Sequence, residues 1–466
     1  MIASTSPTPS IETVVTARNA SCAAIIGRLA QLMRLVHNIP RDALDNNKNT
    51  ARAPPLMFNA IERPAGPPPG LGQIISDFGP LYASHGFIGW LFAITGPVAI
   101  ILSVGANGGL SQAEIASWIF GVFFINGLLT ILLSWRYREP LVLFWTIPGT
   151  VLVGQSLTHL SFAQVVGAFY GTALLMLILG LSGWVKRAMQ LVPMPIVMGM
   201  VAGVFLRFGL DLVRAVLADF AIAGPMVIIW LVLTALPALG RRCPPIIGAL
   251  VIGTLAAFMF GKYDQSTSLQ IALITPVIPT PSWSLAAMIE LVVPLAVTVL
   301  VVQNGQGFAV LSAAGHKPPV NLVTVACGIG SALAAIVGGV STCLTGPTNA
   351  IVVAGGERKR HYTAAMLVGV LALGFGLLAP TFTTLLLIAP KSLITTLAGL
   401  AMLRVLQTAF VTAFKTRFSL GALIAFLVTV ADVPLLNIGA AFWGLVAGFA
   451  TSWLLERADF TADAQT

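Results

Sequence analysis

From residue 86 to residue 455 the chain is a succession of apolar windows, each about the 20 residues a bilayer-spanning helix needs. Hydrocarbon satisfies no backbone N–H or C=O group, so such windows cross a membrane as helices. They fall at 86–104, 112–134, 141–157, 161–183, 190–208, 224–239, 244–260, 284–303, 320–338, 341–355, 363–388, 392–413, 418–431 and 436–455. Only 9% of the 466 residues are charged, against roughly 25% in a soluble domain. The expected fold is an all-α polytopic membrane protein with about fourteen transmembrane segments.

With the N-terminus inside, the inner loops hold Arg136/Arg138, Lys186/Arg187, Arg241/Arg242, Lys317, Arg358/Lys359/Arg360, Lys415/Arg417 and Arg457. The outer loops hold Arg214, Lys262 and Lys391, with Arg207 at a span end. This asymmetry places both termini in the cytoplasm. It also accounts for the net charge of +9 without nucleic acid as a partner. Residues 1–84 lack a span-length apolar run and read as a cytoplasmic tail without fixed structure, with a start near Met57 as the alternative. Within it, residues 22–36 have the pattern of a basic amphipathic surface helix, and Thr13–Arg41 resembles a transit peptide. Cys22, Cys243, Cys327 and Cys343 form no spaced cluster, so neither a disulfide framework nor a metal site is expected, and no cofactor motif occurs.

The two halves echo each other. Residues 247–258 (IGALVIGTLAAF) align without gaps to 438–449 (IGAAFWGLVAGF), with identity at six of twelve positions. Val201-Ala202-Gly203-Val204 echoes Leu397-Ala398-Gly399-Leu400, and Pro148 matches Pro347. Seven spans per unit is an odd number, so the second copy must be inverted. The expected units are 85–261 and 262–457, followed by a short tail at 458–466.

Two spans break on a proline between small polar residues: Trp145-Thr146-Ile147-Pro148-Gly149-Thr150 in span 3 and Cys343-Leu344-Thr345-Gly346-Pro347-Thr348-Asn349 in span 10. Paired interruptions at matching places in two halves point to a transporter's binding site. Half-helices there would present N-terminal N–H groups and a positive dipole end to an anion. Thr146, Thr150, Thr345, Thr348 and Asn349 add neutral donors, and Trp145 an aromatic wall. Thr95, before Gly96-Pro97 in span 1, and Gln303-Asn304 in span 8 complete the expected pocket. No carboxylate lies in these segments, which favours a small carboxylate with an apolar body over a cation.

Other charged groups are read separately. Glu290, inside span 8 before Pro294, is a candidate proton carrier, with the outer interface as its alternative surrounding. His159 is a candidate relay. Arg404, the second-repeat counterpart of Arg207, could attract an anion or pair with backbone carbonyls. Ser111-x-x-Glu114 reads as a capping box, Arg207, Asp211 and Arg214 as a salt-bridged interface helix, and the Gly-xxx-Gly pairs at 167, 199 and 444 as close helix packing. An integral membrane enzyme would show clustered His, Asp, Glu or Cys at one face; the five histidines are scattered.

From about Ile88 to Trp453 the chain resembles the benzoate/proton symporter (BenE-type) family of bacterial inner membranes. The resemblance rests on Arg136-Tyr137-Arg138-Glu139-Pro140, residues 145–150, Ala202 to Leu210, Gln303-Asn304-Gly305 and Gly439 to Val446. It implies proton-coupled uptake of benzoate or a related aromatic carboxylate across the inner membrane. It also implies the seven-plus-seven fold shared with nucleobase permeases. There, spans 1–4 and 8–11 form a core and spans 5–7 and 12–14 a gate, often dimeric. Where those permeases carry Glu-His in span 8 and Glu in span 10, this chain has Gln303-Asn304 and Thr348-Asn349, all neutral. A small-anion or nucleobase carrier of the same fold is the alternative.

Overall fold

The computed structural model describes residues 61–466 apart from 192, 241–242, 263–270, 416, 434, 436–439 and 464–466. The amphipathic segment 22–36 and the Arg241/Arg242 loop therefore lie outside the described residues. The first half comprises α1 (Leu71–Asp77), α2 (Pro80–Ile94), α3 (Gly96–Asn107), α4 (Gln112–Tyr137), β1 (Leu143–Trp145), α5 (Ile147–Ser156), α6 (Phe162–Ser182), α7 (Val185–Leu191), α8 (Met194–Ala218), α9 (Phe220–Ala235) and α10 (Pro245–Met259). The second comprises α11 (Leu285–Ala313), α12 (Val320–Ala335), β2 (Thr342–Leu344), α13 (Gly346–Val352), α14 (His361–Leu377), α15 (Ala379–Leu387), α16 (Lys391–Phe414), α17 (Ser419–Ala431), α18 (Ala440–Leu455) and α19 (Arg457–Asp463).

Among the described residues, seven helices are long and apolar enough to cross a membrane, and five more are shorter apolar helices. With the two strand–half-helix segments, β1–α5 and β2–α13, they account for the fourteen expected spans. Some boundaries move. The first span begins at Pro80 rather than 86, with proline at the helix start, where its missing N–H costs nothing. Helix α8 continues past residue 208 to Ala218, its polar end held by Arg214–Asp211 at 2.9 Å. Arg207 pairs instead with Asp432 beyond α17, at 3.4 Å. Span 11 ends at Leu377, and the rest of its apolar window forms the separate helix α15.

Helix α6 packs on α12, and α14 on both α2 and α4, while α8 packs on α16 and α17, α17 on α18, and α9 on α10. Small residues set the spacing of α8 against α17. A Cβ on Gly199 would sit 2.3 Å from the Ala422 carbonyl oxygen, and one on Gly203 2.8 Å from Thr429 Cβ. The capping box forms as expected: Glu114 N–H donates to Ser111 Oγ, and Ser111 N–H to the Glu114 carboxylate.

Residues 61–79, expected to belong to a loose tail, are hydrogen-bonded to the core. The Glu62 carboxylate accepts the Asn321 and Leu322 N–H groups at 3.0 Å each, at the start of α12. Trp135 donates to the Pro69 carbonyl, Arg136 to Gly66 and Tyr137 to Glu62. Arg360 donates to the Asp77 carbonyl, and Tyr362 to its carboxylate. A helix start and loop cations need partners, which this polar, proline-rich strap supplies.

Candidate functional site at the paired breaks

Prolines 148 and 347 each fall at the start of a half-helix, and the residues before them are extended. The two extended stretches find each other: β1 and β2 pair antiparallel, with Leu143 opposite Leu344 and Trp145 opposite Thr342. Thr146 N–H donates to the Ser341 carbonyl and Thr345 N–H to Val142, one bond at each end of the ribbon. Because the strands are antiparallel, α5 and α13 leave the ribbon in opposite directions.

A two-stranded ribbon has two open edges, and both are buried here, so their polar groups require partners. Side chains on neighbouring spans provide them. On the β1 side, Leu143 N–H donates to Thr130 Oγ1 and Leu141 N–H to Ser134 Oγ. The Asn349 amide accepts Val142 N–H at 3.1 Å and donates to the carbonyls of Val142 and Thr345. On the β2 side, Asn304 Oδ1 accepts Leu344 N–H at 2.7 Å, and Ser331 Oγ accepts Thr342 N–H at 2.9 Å. Asn126 joins the set through the Thr342 hydroxyl.

The residues expected to line the pocket therefore divide. Asn304 and Asn349 hold the ribbon together. The Thr95 hydroxyl donates to a carbonyl of the preceding turn, Leu91 or Phe92, across the break where Pro97 weakens the helix. Thr150 donates to the Thr146 carbonyl. Thr146 caps α5 by accepting Gly149 N–H and donates to the Thr298 hydroxyl. Thr345 makes no such cap on α13; its hydroxyl donates to Thr348 Oγ1 at 3.4 Å. That leaves the Thr348 hydroxyl proton, the Gln303 amide and the Trp145 indole N–H without acceptors among the described residues. The Trp145 ring lies in an aromatic cluster, 5.1 Å from Phe123, which is 4.5 Å from Phe375. The Thr146 and Thr150 hydroxyls at the Pro148 break are thus spent internally, while Thr348 and Gln303 on the Pro347 side and the Trp145 indole beside the Pro148 break keep donors to spare.

Two of the three titratable candidates meet. The His159 imidazole Nε2 lies 2.9 Å from the Glu290 carboxylate, and the Ser156 hydroxyl donates to its other oxygen. Glu290 is 4% exposed and sits in a π-helical turn, Met288–Val292, a distortion frequent at functional sites. A cavity of about 10 Å³ beside it is bounded by Leu152 and Gln155 of α5, Leu291 of α11 and Ala441 and Phe442 of α18, room for about one water. The carboxyl is buried among α5, α11 and α18, rather than at the solvated interface. It lies at the far end of α5, ~13 Å along the helix from the ribbon. Arg404 is exposed, with its guanidinium on Gln407 of the same helix at 3.1 Å.

Thr298, Ser156 and the edge-satisfying Asn126, Thr130, Ser134 and Ser331 were missed as parts of the site. A signal for some of them existed: Asn126, Thr130 and Ser134 recur every four residues on one face of an apolar span, and all are buried.

A family model described as benzoate membrane transport protein (BenE) matches residues 76–454. The chain is 30% identical over 367 residues to the inner membrane protein YdcO of Escherichia coli K12, covering 78% of this chain and 93% of that one. It is 27% identical over 379 residues to the benzoate membrane transport protein of Acinetobacter baylyi, covering 80% and 94%. Among solved structures, the transmembrane domain of the cyanobacterial bicarbonate transporter BicA superposes with a TM-score of 0.53 at 16% identity, covering 79% of this chain and 97% of that domain. The murine anion transporter Slc26a9 in its inward-facing state gives 0.56 at 14% identity, covering 91% and 74%. These two share the fold, with its two inverted seven-span repeats. The chain is a membrane transporter of the benzoate membrane transport protein family.

Proposed function

We propose that the protein carries benzoate or a related aromatic carboxylate across the inner membrane together with a proton, its termini in the cytoplasm. The observation that carries the substrate class is the set of donors left over at the paired breaks. Thr348, Gln303 and the Trp145 indole are neutral, largely buried donors with no acid in the broken segments, a setting that suits a carboxylate. The cluster of Trp145, Phe123 and Phe375 suits an aromatic ring. For the proton, the Glu290–His159–Ser156 group at the core–gate boundary supports Glu290 as the carrier. Movement of the core against the gate would open that boundary and expose the carboxyl to the outer side in turn. The similarity to the benzoate membrane transport protein of Acinetobacter baylyi supports the substrate. The domain assignment of spans 1–4 and 8–11 to the core and a homodimer through the gate belong to the same proposal.

The test is uptake of labelled benzoate by proteoliposomes, with and without an inward proton gradient. Accumulation that collapses with a protonophore is expected; uptake indifferent to the gradient would remove the symport reading. Displacement by substituted benzoates, but not by uracil, xanthine or sulfate, is expected for the substrate class.

A further inference from the structure

On the opposite side of the ribbon from Glu290, a second carboxylate–imidazole group is assembled from segments far apart in the chain. Glu139 follows α4, His316 lies between α11 and α12, and His361 opens α14. Glu139 Oε2 is 2.5 Å from His316 Nδ1, His316 Nε2 is 3.0 Å from His361 Nδ1, and His361 Nε2 is 3.2 Å from the Gly355 carbonyl oxygen. His316 and His361 are both buried, at 6% and 4% exposure, while the Glu139 side chain is 21% exposed. The contacts run in a line rather than converging, and no group of three such residues that could hold a metal ion occurs among the described residues.

We propose that Glu139, His316 and His361 form a second proton-binding site, through which the coupled proton is exchanged at the basic face; this rests on the symport reading above. The end of the chain fixes its hydrogen bonds. A carbonyl oxygen only accepts, so His361 Nε2 carries a hydrogen and a neutral His361 has an accepting Nδ1. His316 must then donate from Nε2. Its Nδ1 either accepts from a protonated Glu139 or, in the imidazolium, donates to the Glu139 carboxylate. In both forms the Glu139–His316 pair holds one proton more than a carboxylate beside a neutral imidazole. When Glu139 releases that proton to water, the neutral His316 moves its remaining hydrogen to Nδ1 to face the carboxylate. His361 then has to donate from Nδ1, and its bare Nε2 no longer bonds the Gly355 carbonyl. Proton occupancy is thereby tied to the loop that ends half-helix α13, whose other end meets the substrate donors.

Placement supports the same role. Helices α5 and α13 diverge from the ribbon, so Glu290–His159 and Glu139–His316–His361 stand at its two ends, one beyond each half-helix. His85 is the sixth residue of the first span, as Glu290 is of the eighth; its Nδ1 is buried without a partner among the described residues, and its ring lies next to Gly355. Other charged and titratable residues surround these three, some of them tied to neighbours through side chain or backbone. Arg358 donates to the Gly315 carbonyl, and Lys317 N–H to Glu139. Arg360 stacks on Tyr82, whose ring is 6.3 Å from that of His361. Tyr362 bonds Asp77, Glu357 N–H bonds the Tyr82 hydroxyl, and Arg138 is next in sequence to Glu139.

The experiment uses full-length protein in proteoliposomes and the variants Glu139→Gln, His316→Gln and His361→Gln. Three quantities are read: gradient-driven uptake of labelled benzoate, benzoate exchange at equal pH, and benzoate-induced thermal shift. The expected result is loss of gradient-driven uptake by about tenfold or more, with exchange and thermal shift kept. The response to pH should disappear on the basic side and persist on the other. Variants that respond to the gradient as the wild type does would overturn the proposal. So would variants that lose exchange and uptake in parallel, because a structural staple would behave that way. A wild-type protein that ignores the gradient would instead remove the symport reading, and the proton site with it.

Discussion

Asn349 and Thr348 are neighbours on α13, yet the structure assigns them opposite work, and replacing each in turn separates scaffold from site. In Asn349→Ala the Val142 carbonyl keeps its bond from Thr345 N–H, and the Thr345 carbonyl keeps that from Asn349 N–H. Val142 N–H loses its partner. One orphaned buried donor costs about 1–3 kcal/mol, and two further lost bonds about 1 kcal/mol each, so roughly 3–5 kcal/mol in all. Thr348→Val keeps the methyl group that packs near Gly89 and removes one hydroxyl whose contact is 3.4 Å long. Its expected cost is below about 1 kcal/mol. Purified protein is heated and the folded fraction followed by size exclusion, and benzoate binding is measured by calorimetry at a temperature where both variants are folded. Asn349→Ala should melt about 5 °C or more below the wild type, while Thr348→Val should melt with it and bind benzoate more weakly. If Asn349→Ala keeps wild-type stability and loses binding, its amide is a ligand group and the edge-satisfaction argument is wrong.

Glu290→Gln should bind benzoate but lose gradient-driven accumulation, with exchange at equal pH retained; unchanged pH dependence of uptake would remove Glu290 as the carrier. Gly199→Val should fail to give a stable monodisperse protein, because the new side chain meets the Ala422 backbone at 2.3 Å; normal yield and melting would refute the close packing of α8 on α17. Glu62→Ala should lower the melting temperature through a loss of about 1 kcal/mol of cap stabilisation without changing benzoate affinity, as read by thermal shift with and without ligand. Burial pushes the Glu456 carboxyl up, but the Ser452 hydroxyl and the Leu420 and Gly421 N–H groups outweigh it and hold its pKa below the ordinary 4.5. A lowered folded pKa gives stability that is fully present above about pH 4.5 and lost as pH falls through the folded value. Glu456→Gln should therefore flatten the acid side of the melting profile.

The breaks were legible because proline and small polar residues interrupt apolar windows twice, in matching halves. What each polar residue does there was not legible. Donors nominated from sequence were counted as free, but a buried ribbon edge competes for them, and Asn304, Asn349 and Thr150 are spent on backbone. Glu290 and His159 carried a local signal, a charge and an imidazole in or near apolar spans. Their contact spans 131 positions in the chain and has no sequence signature. Glu139, His316 and His361 gave no signal of a shared site, since Glu139 and His316 sit in polar connections between spans and His361 is the first residue of α14.

By itself the sequence determined that the chain spans a membrane in two repeats and where each repeat is interrupted. Hydrophobic length and helix-breaking residues are local properties, and hydrocarbon enforces them segment by segment. Tertiary structure decided which donors remain for a substrate and which acids meet which imidazoles. Those outcomes depend on the antiparallel pairing of two strands about 200 residues apart, whose hydrogen-bond demands are met before any ligand's.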